Sequence, residues 1–388
     1  MNSVANNYNR KKIVFSHGKG LYLFTSDGKK YIDLAAGIAV NLLGHSNKSL
    51  IKALNTQSKK IWHVSNLYEI EEQVNLASKL TSSSFANKVF FCNSGAEAVE
   101  CTIKAARRYF FSKGSPKKTE IITFKGSFHG RTLGTIAAAN NSSHLEGFGE
   151  PLKGFKSIER NDMDQLKRSC NEKTAAILIE PVQGEGGINV FNREFIDSLN
   201  VFSKENDLLI LLDEVQCGVG RTGKIFAYEW FNIKPDVMAL AKGLGGGFPI
   251  GACLMRDDIA EALIPGTHGS TFGGNPLAMA VGNCVMDIVN KPDFLLEVEE
   301  KGAFFKNGLE SLLEKYPSVL AEVRGLGLMI GVKCNVENNL LANKLYENGV
   351  LTVNAADNVI RILPPLNITM SEIKKVVSLF EKSIKEIL

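Results

Sequence analysis

Two charged residues directly follow long apolar segments, and both could do chemistry there. Asp213 follows LLILL at 208–212, and Lys242 follows VMALA at 237–241 and precedes three glycines at 245–247. A buried carboxylate needs a partner, because desolvating an unpaired charge costs on the order of several kcal/mol. A desolvated lysine loses its proton more readily and becomes a nucleophile toward carbonyl groups. Taken singly, Asp213 is equally well interpreted as a structural cap at the end of a strand, and Lys242 as a structural lysine whose side chain reaches solvent.

A third segment, Asn93-Ser94-Gly95-Ala96, lies between the apolar run VFFC and an amphipathic helical pattern. Small residues at a strand-to-helix turn leave backbone N–H groups free to bind a phosphate at the helix N-terminus. The segment is neither a Walker loop nor a GxGxxG turn. Alone it is equally typical of ordinary helix capping.

Together the three segments favour one ligand, a phosphorylated pyridine aldehyde. The turn at 94–96 would hold its phosphate, and Lys242 would bind its aldehyde as a Schiff base. Asp213 would keep the ring nitrogen protonated, so that the ring can withdraw electrons from a bound substrate. The cationic ring would in turn supply the partner that a buried Asp213 needs.

The elements that must position these residues are short, continuous apolar runs separated by helical patterns. Such runs indicate an α/β fold with a mostly parallel sheet covered by helices, which binds ligands at the carboxyl ends of its strands. An Asp27-Gly28 turn predicts a hairpin over 21–34, and two late strand patterns predict a smaller α+β subdomain. The predicted strand segments are 89–92, 120–124, 175–179, 208–212, 237–241, 324–333 and 359–366. We expect an N-terminal segment (1–45) that packs with the small domain, a large cofactor-binding domain (46–282) and a small C-terminal domain (283–388).

Composition narrows the class of protein. The 388 residues exceed a typical single core, and a net charge of +4 from 45 basic and 41 acidic residues gives no reason to expect a nucleic-acid partner. Seven cysteines without a CxxC pair, a polar N-terminus and no apolar stretch of about 18 residues predict a cytoplasmic protein without a membrane span. The six histidines lack metal-site spacing, so no metal is expected.

The chain resembles the class III, fold-type-I pyridoxal-phosphate-dependent aminotransferases, and within them the group that acts on acetylornithine. The resemblance runs over nearly the whole chain and implies a mostly parallel, seven-stranded type of sheet covered by helices. The matching segments are GIAVNLLGH (37–45), WHVSNLY (62–68), FFCNSGAEA (90–98), SFHGRT (127–132), EPVQGEGG (180–187), LLDEVQCGVGRTG (211–223), PDVMALAKGLGGGFPIGA (235–252), HGSTFGGNPLA (268–278), RGLGLMIG (324–331) and IRILPPL (360–366).

The resemblance implies a cofactor, pyridoxal 5′-phosphate, and a set of residues that bind it. Lys242 and Asp213 would be the catalytic residues, with Lys242 also moving the proton during the reaction. The implied cofactor contacts are Ser94, Gly95 and Ala96 at the phosphate, Phe128 and Val215 on the two ring faces, Gln216 near the phenolic oxygen, Glu214 beside Asp213, and Thr271, which would reach the phosphate of the neighbouring subunit in a homodimer.

The resemblance also implies four substrate contacts. Arg131 would grip a substrate carboxylate, because a planar guanidinium binds a carboxylate with two parallel hydrogen bonds. Ser270 would be a second contact. Glu185 and Arg361 would form a gate, in which Glu185 covers Arg361 until a second carboxylate of glutamate or 2-oxoglutarate must bind. The alternatives are a surface arginine for Arg131 and an ordinary structural salt bridge for the pair. His45, His63 and His129 are interpreted as structural.

The function implied is transfer of the terminal amino group of N2-acetyl-L-ornithine to 2-oxoglutarate in arginine biosynthesis. The segment at 37–45 lacks the tyrosine that ornithine aminotransferases carry there, which favours an acylated substrate. Ornithine, succinylornithine, N-succinyl-diaminopimelate and 4-aminobutyrate stay open as alternative substrates. A racemase or mutase would keep Lys242 and Asp213 without needing the gate, and a non-catalytic homologue is the remaining rival.

Overall fold

The computed structural model describes residues 3–388. Its strands are β1 (Phe15–Lys19), β2 (Tyr22–Thr25), β3 (Lys30–Asp33), β4 (Lys88–Cys92), β5 (Glu120–Phe124), β6 (Phe155–Ile158), β7 (Thr174–Ile179), β8 (Val182–Gln183), β9 (Asn189–Val190), β10 (Leu209–Asp213), β11 (Val237–Leu240), β12 (Gly251–Met255), β13 (Leu320–Leu326), β14 (Met329–Cys334), β15 (Val350–Leu351), β16 (Val353–Ala355) and β17 (Val359–Ile362). Its helices are α1 (Ala36–Ala39), α2 (Lys48–Ser58), α3 (Glu71–Ser82), α4 (Gly95–Ser112), α5 (Leu133–Ala139), α6 (Ser142–Leu145), α7 (Met163–Ser169), α8 (Arg193–Glu205), α9 (Asp257–Ala260), α10 (Pro276–Val289), α11 (Pro292–Lys315), α12 (Asn338–Glu347) and α13 (Met370–Lys385), with 3₁₀ turns at Ala227–Trp230 and Lys242–Gly245.

The large sheet has seven strands in the order β4-β12-β11-β10-β7-β5-β6. All pairs are parallel except those of β12, which runs antiparallel to both neighbours. The predicted mostly parallel sheet is therefore confirmed. The sequence patterns did not identify β12, because the glycine-rich stretch that leads into it is typical of a loop.

Both faces of this sheet are buried, which is why its strands are continuously apolar. In β10, Ile210 and Leu212 pack into one hydrophobic core while Leu209 and Leu211 pack into another. Each such leucine or isoleucine contributes about 1.5–3 kcal/mol on burial. An alternating strand with one polar face would leave half of that contribution unused.

Two four-stranded sheets accompany the large one. The predicted hairpin is confirmed as β2 and β3, and Gly28 adopts φ +83° in the turn between them. This N-terminal sheet is completed by β15, so the N-terminal strands share a sheet with the C-terminal part of the chain. The other sheet, β13-β14-β17-β16, is antiparallel. The boundary expected after residue 282 falls inside α10, and the division of the chain into 1–45, 46–282 and 283–388 stays a prediction.

The short segment α1 is wound the wrong way for L-residues. Ala36, Ile38 and Ala39 have φ values of 47°, 64° and 62°. Left-handed backbone costs roughly 1–2 kcal/mol per non-glycine residue. The turn delivers Val40 to the wall of the cavity described below, in keeping with the tendency of strained backbone to cluster at functional sites.

Two kinds of feature are absent from residues 3–388. No helix in this range is long and apolar enough to cross a membrane. Within the same range no three His, Cys, Asp or Glu side chains are grouped so that they could hold a metal ion.

Candidate active site

A cavity of about 430 Å³ lies at the carboxyl ends of the central strands. Asp213 ends β10, Lys242 follows the neighbouring parallel strand β11, and the turn at 94–96 follows β4. The predicted residues that line the cavity are Ser94, Gly95, Ala96, Phe128, Arg131, Glu185, Asp213, Val215, Gln216 and Lys242. The fold therefore brings together the three segments that the sequence singled out.

Lys242 sits where the chain leaves β11 in a strained conformation. Its φ is +43°, in the left-handed region that non-glycine residues rarely adopt. Burial lowers the pKa of its amine, although the charges of Glu185 and Asp213 act in the opposite direction. The amine is therefore more readily deprotonated than an exposed lysine, as both a nucleophile and a proton acceptor must be.

Asp213 is buried and held by two contacts. Its Oδ2 is 2.8 Å from Nδ1 of His129, and its Oδ1 accepts a hydrogen bond of 3.0 Å from the backbone N–H of Val215. Burial by itself would lower the pKa of His129, but the hydrogen bond and the charge of Asp213 raise it. The contacts with His129 and Val215 hold the carboxylate of Asp213 at the cavity wall. They confirm the interpretation of His129 as a hydrogen-bonded residue, but at a position beside the site that the sequence did not reveal.

Glu180 is a further buried acid at the same place. Burial, together with the charge of Asp213, raises its pKa to about 7. Its carboxylate accepts hydrogen bonds from the backbone N–H groups of Phe128 at 2.8 Å and Gly184 at 3.2 Å. It thus ties the segment carrying the cavity aromatic to the loop that carries Glu185.

The turn at 94–96 opens an 18-residue helix, α4. Ser94 caps the helix by accepting a hydrogen bond from the backbone N–H of Glu97 at 3.3 Å. The first N–H groups of a helix have no acceptor inside it and bind anions readily. A Cβ on Gly95 would lie 2.6 Å from Cγ1 of Val215, so a larger residue would disturb this edge of the cavity. An anion cradle, a buried carboxylate and an accessible amine in one cavity fit pyridoxal 5′-phosphate.

Arg131 is exposed at the cavity and is available for a ligand. Its guanidinium carbon lies 5.4 Å from the centre of the Phe128 ring. No carboxylate of the part of the chain described here, residues 3–388, forms an ion pair with it. His144 packs edge-on against the same ring, with the ring centres 5.9 Å apart.

Glu185 and Arg361 form a two-pronged ion pair. Nη1 and Nη2 of Arg361 lie 2.6 Å and 2.8 Å from the two carboxylate oxygens of Glu185. Arg361 is 1% exposed, and its Nη1 also donates to Oε1 of Gln216 at 3.2 Å. Arg361 is therefore covered by the cavity residue Glu185, the arrangement expected of a closed gate.

Four predicted residues do not line this cavity: Arg361, which lies behind Glu185, and Glu214, Ser270 and Thr271. Glu214 turns the other way, and its carboxylate accepts hydrogen bonds from the backbone N–H groups of Ala227 at 2.6 Å and Tyr228 at 2.7 Å. Burial raises the pKa of Glu214 to about 8. Ser270 does not line the cavity, but its Oγ accepts a 3.2 Å hydrogen bond from Nδ2 of Asn93, which does. Thr271 is exposed outside it.

Sequence reasoning missed several residues of the wall. Val40, His129, Glu180 and the segment 248–250 line the cavity as well. Glu180 offered the same signal as Asp213, an acid placed directly after a buried apolar run. Val40 gave none, because an isolated valine is indistinguishable from core packing.

Comparison with known proteins defines the family. The model of the aminotransferase class-III family matches residues 3–384. The acetylornithine aminotransferase of Brucella melitensis is 51% identical over 98% of this chain and 94% of its own length. That of Agrobacterium fabrum is 53% identical, over 94% of this chain and 92% of its own length.

Solved structures agree on the fold. An ornithine aminotransferase from Toxoplasma gondii is superimposed with a TM-score of 0.95 at 30% identity, covering 99% of this chain and 93% of its own. An N-acetylornithine aminotransferase from Stenotrophomonas maltophilia gives a TM-score of 0.86 at 36% identity, covering 98% and 97%. The chain belongs to the class-III aminotransferase family, whose members are pyridoxal-phosphate-dependent transferases. Because both kinds of enzyme share this backbone, the fold alone does not select the substrate.

Proposed function

We propose that this enzyme transfers the terminal amino group of N2-acetyl-L-ornithine to 2-oxoglutarate, giving N-acetylglutamate 5-semialdehyde and L-glutamate. The observation that carries the proposal is the presence of two arginines in different states, one at the cavity and one behind the wall residue Glu185. Arg131 is free to bind a carboxylate, whereas Arg361 is covered by Glu185. An acylated amino acid with one carboxylate needs only Arg131, and a dicarboxylic acid needs both. Relatives about half identical over nearly the whole chain are named acetylornithine aminotransferases.

Bound pyridoxal 5′-phosphate supplies an aldehyde that bonds to amines and a ring that takes up electrons from the substrate carbon. The N-terminus of α4 would hold its phosphate, and Asp213 would face its ring nitrogen. Lys242, with its lowered pKa, would hold the cofactor, be released by the substrate amine and then move a proton at its Nζ. Phe128 and Val215 would keep the ring between two apolar surfaces and exclude water.

Replacing Arg131 with methionine tests the first substrate contact. We expect KM for acetylornithine to rise by roughly 10- to 100-fold, the equivalent of about 1.5–3 kcal/mol for a charged hydrogen-bonded contact. The cofactor should stay bound, because the variant keeps Lys242 and the phosphate turn at 94–96 unchanged. The measurement is the steady-state rate against acetylornithine concentration, together with the cofactor content of the purified protein.

The matched control is Arg107→Met, because the Arg107 guanidinium stacks on Phe155, an aromatic ring that does not line the cavity. It should leave KM unchanged. An unchanged KM in Arg131→Met would remove Arg131 from the substrate site.

A second substrate, free ornithine, deserves a direct comparison because of the Toxoplasma gondii neighbour. Val40 lines the cavity in the segment where the sequence lacks a tyrosine. A panel of single-turnover reactions with acetylornithine, ornithine, succinylornithine and 4-aminobutyrate ranks the candidates. Faster reaction with ornithine than with acetylornithine would overturn the acylated substrate.

We further propose a homodimer in which Thr271 serves the partner's phosphate site. Thr271 is exposed and lies outside the cavity of its own chain. Large exposed apolar side chains lie beside it in sequence and in the segment 62–68, and monomeric proteins rarely leave a large contiguous patch of them exposed. They are Trp62, Leu67, Tyr68 and Phe272, exposed by 65%, 87%, 67% and 60%. Asn66 joins the two segments by donating to the carbonyls of Ser270 and Gly273.

Sedimentation of the 42.4 kDa chain tests the homodimer. We expect twice the chain mass, and faster loss of cofactor from Thr271→Val, in which a methyl replaces the hydroxyl. Leu152→Asp, a change at another exposed apolar position outside this patch, is the control and should remain dimeric. A monomer that retains full activity would contradict a composite site.

We propose a place in arginine biosynthesis and a cytoplasmic location, on the strength of the bacterial relatives' names.

A further inference from the structure

The loop that carries Glu185 connects β8 and β9, and hydrogen bonds to residues close to it in sequence brace its backbone on both sides of Glu185. These ties are a 3.2 Å hydrogen bond from the N–H of Gly184 to Glu180 and a 2.7 Å bond from Asn189 Nδ2 to the carbonyl of Gly186. A third is the 3.3 Å turn bond from the N–H of Gly187 to the carbonyl of Gly184. The loop backbone is thus braced by Glu180, which precedes it in the chain, and by hydrogen bonds within the β8–β9 hairpin itself.

The antiparallel sheet β13-β14-β17-β16 and the turn after β16 hold the same loop from another side. The carbonyl of Glu185 accepts a 3.0 Å hydrogen bond from the backbone N–H of Ala356. The carbonyl of Gly187 accepts a 2.8 Å bond from Nε of Arg324. Arg324 belongs to the antiparallel sheet that also carries Arg361, and Ala356 lies in the turn between two of its strands, β16 and β17. The backbone beside Glu185 and its partner Arg361 are therefore held by the same part of the structure.

Arg324 is itself fixed by two carboxylates. Its Nη2 lies 2.8 Å from Asp357 and its Nη1 2.9 Å from Glu322. Asp357 also pairs with Lys333 at 2.7 Å. With three of its five N–H groups engaged in a planar fork, the guanidinium has little freedom to follow a moving loop.

The loop has no room to move toward Arg324. Gly187 adopts φ +111°, and a Cβ there would lie 2.8 Å from the carbonyl oxygen of Ala356 and 2.9 Å from Nη2 of Arg324. Gly187 is already packed closely against Ala356 and Arg324. Opening of the gate is therefore left to the side chain of Glu185.

We propose that Arg324 is a positioning residue for the gate. It anchors the Gly187 carbonyl so that the two carboxylate oxygens of Glu185 face the two Nη atoms of Arg361. The inference rests on the proposed function of the Glu185–Arg361 pair. A tightly held Glu185 makes a dicarboxylate displace a strong ion pair before it can bind. A loosened loop weakens that pair, so the dicarboxylate should bind more tightly, while binding at Arg131 is unaffected.

The test is inhibition of the holoenzyme by glutarate, a dicarboxylate that has no keto or amino group and cannot react. Glu185→Gln removes the covering charge directly and should lower the inhibition constant for glutarate the most. Arg324→Met should lower it by about 5-fold or more, the usual scale of coupling between two sites. Arg324→Lys, which keeps the charge but loses the fork, should lie between the wild type and Arg324→Met. KM for acetylornithine should stay the same in both Arg324 variants.

Lys333→Met is the matched control, because it also removes a cationic partner of Asp357 without touching the loop. It should leave glutarate inhibition unchanged. In the double variant Glu185→Gln/Arg324→Met, the Arg324 change should add nothing, since the pair it positions is already gone.

If Arg324 acted only through its charge, the inhibition constant would change in the opposite direction, so the experiment distinguishes the two explanations. Removing a positive charge near an anion site would raise the inhibition constant. A raised or unchanged value in Arg324→Met, an equal fall in Lys333→Met, or a further fall in the double variant would each overturn the positioning role. If Glu185→Gln itself leaves glutarate inhibition unchanged, the gate of the proposed function is wrong.

Discussion

Replacing Lys242 with alanine is expected to abolish turnover, with a fall in kcat of about 10⁴-fold, the upper range for loss of a positioned acid–base group. Lys242 is the amine on the cavity wall at the end of β11, and burial keeps its pKa low. Without it the cofactor has no covalent bond to the protein and the substrate proton has no carrier. The measurements are the turnover rate and mass spectrometry of the protein after borohydride reduction, which fixes any cofactor bonded to a lysine.

The result is sharpened by Lys242→Arg, which retains a positive charge and a long side chain but cannot form that bond. Both variants should lose the absorbance band of the lysine-bound cofactor while staying folded. A band retained near the wild-type wavelength, or cofactor fixed to another lysine after reduction, would show that Lys242 does not hold the cofactor.

Replacing Asp213 with asparagine is expected to lower kcat by about 10²- to 10³-fold, as is typical when one preorganised electrostatic contact is lost. The amide has nearly the same shape but carries no charge to stabilise a protonated ring nitrogen. His129 provides a readout that does not depend on activity. Because Asp213 raises the pKa of His129, this pKa should fall in the variant, as measured by NMR titration of the histidine ring protons.

Asp236→Asn is the matched control for this substitution. Asp236 is also buried and also accepts a backbone hydrogen bond, from the N–H of Ile210, but it lies at the opposite end of β11. It should leave kcat and the pKa of His129 close to their wild-type values. Wild-type turnover in Asp213→Asn would exclude Asp213 from the chemistry, and an unchanged pKa of His129 would show that the two side chains are not in contact.

The sequence allowed the central strands to be predicted because burial on two faces leaves a local signal. β5, for example, covers the same residues as the run EIITF, and β10 and β11 lie within one residue of LLILL and VMALA. β12 was missed, since its position in the sheet depends on pairing with β4, which is distant in sequence, as well as with the preceding strand β11. A strand that is defined by long-range pairing, and that begins in a glycine-rich stretch, carries little local pattern.

The site divides in the same way. The sequence by itself singled out Lys242 and Asp213 as the candidates for chemistry, because charges placed at the ends of buried strands are costly unless they have a partner. Only the tertiary structure decided how they are tuned and controlled. It placed His129 against Asp213, turned Glu214 away from the cavity, and set Arg324 on the Glu185 loop. Those contacts join segments far apart in the chain, and their existence depends on how the sheets pack rather than on any local pattern of residues.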